Sequence, residues 1–118
     1  MSYDIDLVDP VTKEVLELDS PHQMTGGTFQ IGGTKELHLN ITYNYGNILR
    51  KLFGEEGIRS FYGLSAMDTV GLLIVAIASL KDDVSKDYWE PTEGNVKQAL
   101  LQLLTMAKLR PDGIWAGD

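Results

Sequence analysis

The sequence predicts a single α+β domain over residues 1–118, with a small antiparallel sheet in residues 1–45 covered by three helices in residues 46–110. Three observations carry this. Near the start and again from Lys35 to Asn44, apolar and polar residues alternate with the period of a half-buried strand. From Val96, apolar residues fall at Ala99, Leu100, Leu103, Leu104 and Ala107, the i+3, i+4, i+7, i+8 and i+11 spacing of one helix face. Strands come first and helices after, the order of an α+β domain, and 118 residues is the length of one domain.

Tyr3, Ile5 and Leu7 alternate with Asp4 and Asp6, giving the first strand. Asp9 and Pro10 suit a type I turn, so Val15 to Leu18 is expected to return beside that strand as a hairpin. "DSPHQMTGG" reads as a loop, and Phe29 to Ile31 as a short apolar piece between two Gly-Gly-Thr units. In the next strand Leu37, Leu39, Ile41 and Tyr43 face the core, while Glu36, His38, Asn40, Thr42 and Asn44 form an unusually polar opposite face. Ile48, Leu49, Leu52 and Phe53 give an apolar side to a helix that stops near Gly54. "EEGIRSFYGL" connects it to the next helix. Ser65 is the N-cap there, with Asp68 in the first turn. That helix, from Ala66 to about Leu80, is apolar nearly all round and is expected to be the central one, with Gly71 marking close packing. Thr92 caps the last helix and Pro111 ends it. Ile114 and Trp115 are expected to fold back onto the body, and the apolar surface that Leu101 and Leu109 carry off the main stripe to be covered by that tail, with Trp115 the obvious cover, or by a second copy of the chain.

Composition narrows the function. The chain has no cysteine, which excludes thiol catalysis, zinc–thiolate sites and disulfides and fits a reducing cytoplasm. A net charge of −7 with no basic stripe argues against general nucleic-acid binding. The apolar run from Thr69 to Leu80 is shorter than the about 20 residues a membrane span needs. Residues 1–19 hold six acids against one lysine, an end that favours cationic partners or simply a solvated sheet face.

No motif announces chemistry. Each Gly-Gly-Thr runs into a β-like segment, whereas a phosphate loop must run into a helix N-terminus, so both read as turns and no cofactor motif is present. "GLSAM" lacks the strand that a nucleophile elbow needs, and capping explains Ser65. Glu36 and His38 offer two ligands on one strand face but no third, so no metal site is expected. Arg50, Lys51 and Arg59 form a small basic group that reads as surface balance.

Two stretches remain as candidates. "TYNYGN", Thr42 to Asn47, lies where a strand hands over to a helix; Asn44, Tyr45 and Asn47 would extend the polar face of His38 and Asn40 into one binding surface. "DYWEPTEGN" places Tyr88 and Trp89 in a polar loop suited to a partner or a flat ligand. For both, capping and core packing are the alternative reading.

At "YNYGN", "DYWEPTEGN" and "RPDGIWAGD" the chain resembles small uncharacterised accessory proteins of bacteriophages and other bacterial mobile elements. The resemblance implies a cytoplasmic setting in a bacterial host and an accessory role, including interference with host defence. It carries over no activity and no site residue. The expected function is therefore a non-enzymatic binding protein that engages a protein partner. The alternative is an oligomeric protein that binds or sequesters a small ligand or nucleotide. A hydrolase or transferase comes third, for want of a recognisable nucleophile–base pair.

Overall fold

The computed structural model describes residues 2–25, 30–87 and 89–118. Strands β1 (Ser2–Val8), β2 (Glu17–Thr25), β3 (Gln30–Glu36) and β4 (His38–Thr42) precede helices α1 (Gly46–Phe53), α2 (Ala66–Ser79) and α3 (Glu93–Leu109), and β5 (Ile114–Gly117) closes the chain. Short 3₁₀ turns at Tyr43–Tyr45 and Gly57–Phe61 lead into and out of α1. The fold is the α+β arrangement that the patterning predicts.

The main sheet is antiparallel with order β4-β1-β5. Its register sets Ile5 opposite Leu39, Tyr3 opposite Ile41 and Leu7 opposite Trp115. These side chains lie on one face, and all are buried with Leu49, Leu73, Leu100 and Leu103 in a common core. Burying a side chain of this size is worth about 1.5–3 kcal/mol, so the alternation in β1 and β4 specifies both strand and register.

Two sheet expectations are corrected. The segment after Pro10 does return beside β1, but only at its end: Val8 and Val15 form one antiparallel bridge, Leu16 donates its N–H to the Leu7 carbonyl and Asp9 to the Glu14 carbonyl, both at 2.8 Å. β4, not this segment, holds the edge from Ser2 to Asp6. The chain then leaves to build a separate ribbon of β2 and β3, over residues read as a loop. Gly32, Gly33 and Thr34 lie within β3 rather than in a turn; the ribbon has register shifts, the irregular setting in which strand glycine is accepted. The first Gly-Gly-Thr unit falls outside the described residues.

α2 and α3 form an antiparallel pair. At one end the N–H groups of Ala66 and Met67 donate to the carbonyls of Gly113 and Pro111. At the other, Glu93 accepts from Lys81 N–H and Asp83 from Gly94 N–H, each at 3.1 Å. The predicted caps are present: Ser65 Oγ accepts from Asp68 N–H and Thr92 Oγ1 from Asn95 N–H, and Gly54 ends α1 at φ 95°, which glycine adopts without strain. Trp115 is buried and donates from Nε1 to Thr69 Oγ1 at 2.7 Å, tying β5 to α2. It therefore does not cover Leu101 and Leu109, which stay 41% and 49% exposed.

α2 is not the central helix. It buries Ala66, Thr69, Leu73 and Ala76 but leaves Met67, Leu72, Ile74 and Val75 in solvent. Gly71 points outward with them, and a methyl group there would meet no atom within 4 Å. Its glycine does not mark intramolecular packing.

Candidate binding cleft

The structure brings the two candidate stretches together. Asn44 Nδ2 donates to the Trp89 carbonyl at 2.9 Å, so the strand-to-helix junction and the aromatic loop share one edge. Below that bond, α1 on one side and the end of α2 with the start of α3 on the other enclose a cleft of about 510 Å³.

Its walls follow from local rules. Ile48 and Leu52 stand one turn apart on α1 and present apolar surface, with Lys51 beside them. Leu80 and Pro91 supply the opposing apolar wall. Most polar groups at the rim are already committed. Thr92 caps α3, Glu93 and Asp83 accept backbone N–H groups, and Ser79 Oγ donates to the Ala76 carbonyl. Lys51 has no such bond among the described residues and is the rim's uncommitted cation.

The loop wall is held from inside. Asn95 is buried; its Oδ1 accepts from Ser85 N–H at 3.1 Å, and its Nδ2 donates to the carbonyls of Asp87 and Glu90 at 3.1 and 2.9 Å. Gly94 lets the loop lie directly on the helix start, because a Cβ there would sit 2.6 Å from the Asp83 carbonyl carbon. A satisfied buried amide and a backbone-on-backbone contact fix the loop's shape before anything binds.

The proposed continuous polar surface does not form. Tyr45 is fully buried, and burial, with the charge of Asp87 adding to it, pushes its phenol up to about 12. It serves the core rather than a partner, because the 3₁₀ turn after β4 rotates it inward while Asn44 and Asn47 stay outside. Asn40 is also buried, at 4% exposure, and Nδ2 donates to Ser2 Oγ and Asp4 Oδ1, both at 2.6 Å. Of the residues singled out from sequence, Asn44, Asn47 and Trp89 remain exposed, Trp89 at 44%. Asn47 Oδ1 accepts from Arg50 at 2.5 Å. Tyr88 lies outside the described residues.

His38 is half-buried on the β1–β4 face. Nδ1 lies 2.5 Å from Asp6 Oδ1 and Nε2 lies 3.7 Å from Asp4 Oδ1. The hydrogen bond to Asp6 raises its pKa above the ordinary value; burial opposes this, and the charges of Asp6, Asp4 and Glu36 add to it. Both ring nitrogens face carboxylates, so the ring is a tie between strands. Among the described residues no group of three or more metal-ligating side chains could hold a metal ion.

The basic trio is dispersed. Arg50 bonds Asn47, Lys51 lines the cleft, and Arg59 lies 4.9 Å from the Tyr3 ring centre and 5.5 Å from that of Tyr43, donating to the Tyr43 hydroxyl at 3.0 Å. Sequence reasoning missed the cleft itself. The signal available was Ile48 and Leu52 at i, i+4 beside Lys51, but the same spacing describes any core-facing helix, and only the position of Leu80 and Pro91 opposite makes it a cleft. No helix among the described residues is long and apolar enough to cross a membrane. No family model, curated protein or solved structure matches this chain.

Proposed function

We propose that this protein is a non-enzymatic binding module of the bacterial cytoplasm that captures an apolar, acid-bearing segment of a protein partner in the cleft between α1 and the 80–93 loop. The observation that carries the reading is the cleft's chemistry: apolar walls of Ile48, Leu52, Leu80 and Pro91, with Lys51 the uncommitted cation at its rim. Apolar walls flanked by polar groups that are already held by hydrogen bonds suit a short peptide segment or a small ligand. A carboxylate beside Lys51 would pair with that cation, while Asp83 and Glu93, which also line the cleft, are engaged with backbone N–H groups; Trp89 and Asn44 on the adjoining edge would extend the contact. The resemblance of three short strings to mobile-element proteins adds a host defence component as the kind of partner. The chain also works as a homo-oligomer in this reading, because its most apolar helix is left half in solvent.

The cleft volume favours one second reading. At about 510 Å³ it lies within the roughly 300–1,000 Å³ range of small-molecule sites, so a small apolar anion is the alternative occupant. Affinity capture from bacterial lysate with the wild type and Lys51→Glu, run beside native mass spectrometry, tests both. A specific protein whose capture falls at least roughly tenfold with Lys51→Glu supports the first reading. A small non-covalent adduct lost in the same variant supports the second. Capture and adducts both indifferent to Lys51→Glu would remove the cleft from the function.

A further inference from the structure

We infer that the outward face of α2 is the interface of a two-fold homodimer in which the helices cross antiparallel at Gly71. This rests on the oligomeric reading above and gives it a place and a geometry.

The face is apolar in the wrong direction for a monomer. Met67, Leu72, Ile74 and Val75 are 64%, 51%, 46% and 70% exposed, and Leu64, just before the helix, is 40% exposed. Side chains of this size, half exposed, together leave on the order of several hundred Å² of apolar surface, the size of the largest patch on a typical monomer, which is often a functional one. A standard interface buries about 800 Å² per partner with its apolar part at the centre, so this face is of the size to form that centre.

Charge narrows the occupant. The chain carries −7, which disfavours nucleic acid and anionic membrane surfaces. A second copy carries the same charge, but along the outward arc of α2 the only formal charge is Asp68, so two copies meet with least repulsion through this face.

The spacing is self-complementary. On the outward arc a large residue, Met67, is followed at i+4 by Gly71 and at i+8 by Val75. In an antiparallel pair centred on Gly71, Met67 of each copy meets Val75 of the other, and the two glycines meet on the axis. The space a Gly71 side chain would occupy is open in the single chain, so the glycine leaves room for a second backbone rather than for any element of its own. An isologous contact of this kind closes and does not propagate into a filament.

The absence of cysteine from the sequence makes the test specific. Gly71→Cys places one thiol on the predicted axis, where two Cα atoms within about 7 Å can form a disulfide. Under mild oxidation it should give a covalent dimer at micromolar concentration, while Gln98→Cys, on the exposed side of α3, should not. Sedimentation of the cysteine-free protein should show a dimer, and Val75→Asp should weaken it at least roughly tenfold by burying a charge against Met67 of the other copy. Circular dichroism checks that Val75→Asp keeps its fold, so that a lost dimer is not a lost structure. A monomer across micromolar concentrations would overturn both this inference and the oligomeric reading. A dimer unaffected by Val75→Asp, with Gly71→Cys uncrosslinked, would overturn this inference alone and leave an oligomer built on another face. Neither outcome bears on the cleft.

Discussion

The outward face of α2 and the polar face of β1 and β4 break the usual rule in opposite directions. α2 is the most apolar element of the chain, yet Met67 and Val75 lie mostly in solvent. The strand face is polar, yet Asn40 and Thr42 are 4% and 1% exposed. Burial follows from which neighbours the topology supplies. α2 is apolar all round, so when Thr69 and Leu73 turn toward Trp115 and the core, its other side must face out. Asn40 goes inside because its Nδ2 finds Ser2 and Asp4 across the strand pair, although its Oδ1 is buried without a partner among the described residues, and Thr42 because its hydroxyl caps the following turn. The inside polar groups are therefore held by folding through these bonds, while the outside apolar groups are not explained by it. That asymmetry separates residues that hold the structure from residues available for function.

The largest effect expected from this contrast is at Asn40. Asn40→Ala removes two cross-strand hydrogen bonds, one of them to the Asp4 carboxylate, and should destabilise by about 1–3 kcal/mol. Leu72→Ala, an apolar truncation on the outward face of α2, should stay within about 0.5 kcal/mol when measured at dilutions where a single chain dominates. Urea midpoints of the two variants, read side by side, check the contrast. A Leu72→Ala loss equal to that of Asn40→Ala would mean that the outward face is covered within the chain.

The same contrast marks what was legible in the sequence. β1, β4 and the three helices were readable because their periods and caps are local: Ser65, Thr92 and Gly54 stand where side-chain and glycine stops are expected. The pairing was not, since nothing near Val15 shows that β4 will occupy the edge of β1. The two-strand ribbon was hidden by Pro21 and the glycine pairs, which read as loop. The direction in which α2 faces was illegible for a plainer reason: a helix apolar nearly all round has no broad polar side to mark which way faces out. Tyr45 and Asn40 were misread as surface because their inward path depends on a 3₁₀ turn and on acceptors contributed by another strand. The cleft depended on two segments more than 30 residues apart, Ile48 and Leu52 against Pro91. By contrast Asn44 and Trp89 were found separately from local composition, and the fold joined them.

A smaller effect, of opposite sign, is expected at Gly71. Glycine within a helix costs about 0.8–1 kcal/mol against alanine, and here a methyl group meets nothing within 4 Å. Gly71→Ala should therefore stabilise the dilute single chain by roughly 0.5–1 kcal/mol. Thermal unfolding at low protein concentration measures it. A loss of stability there would mean that α2 lies against an element of its own chain after all.

The smallest effect lies at the border of the polar face, where His38 is neither fully inside nor out. Its folded pKa is raised above the ordinary 6.5, first by the hydrogen bond to Asp6, while burial opposes the shift and the charges of Asp6, Asp4 and Glu36 reinforce it. The sign follows from linkage. The folded state holds the proton more tightly than the unfolded chain, so the stabilisation is fully present below about pH 6.5 and is lost as pH rises through the raised folded value. Part-exposure screens the pair, which keeps the gain to about 1 kcal/mol or less. The melting temperature of the wild type should therefore fall between mildly acidic and mildly alkaline pH, and His38→Gln should flatten that fall while keeping a neutral contact to Asp6. Asn40→Ala, by contrast, should lower stability without removing the slope, because Asp6 still faces His38. A wild-type curve with no such fall, or one that His38→Gln leaves unchanged, would show that the imidazole is merely lodged between the strands and that the polar face is held by the Asn40 amide rather than by charge.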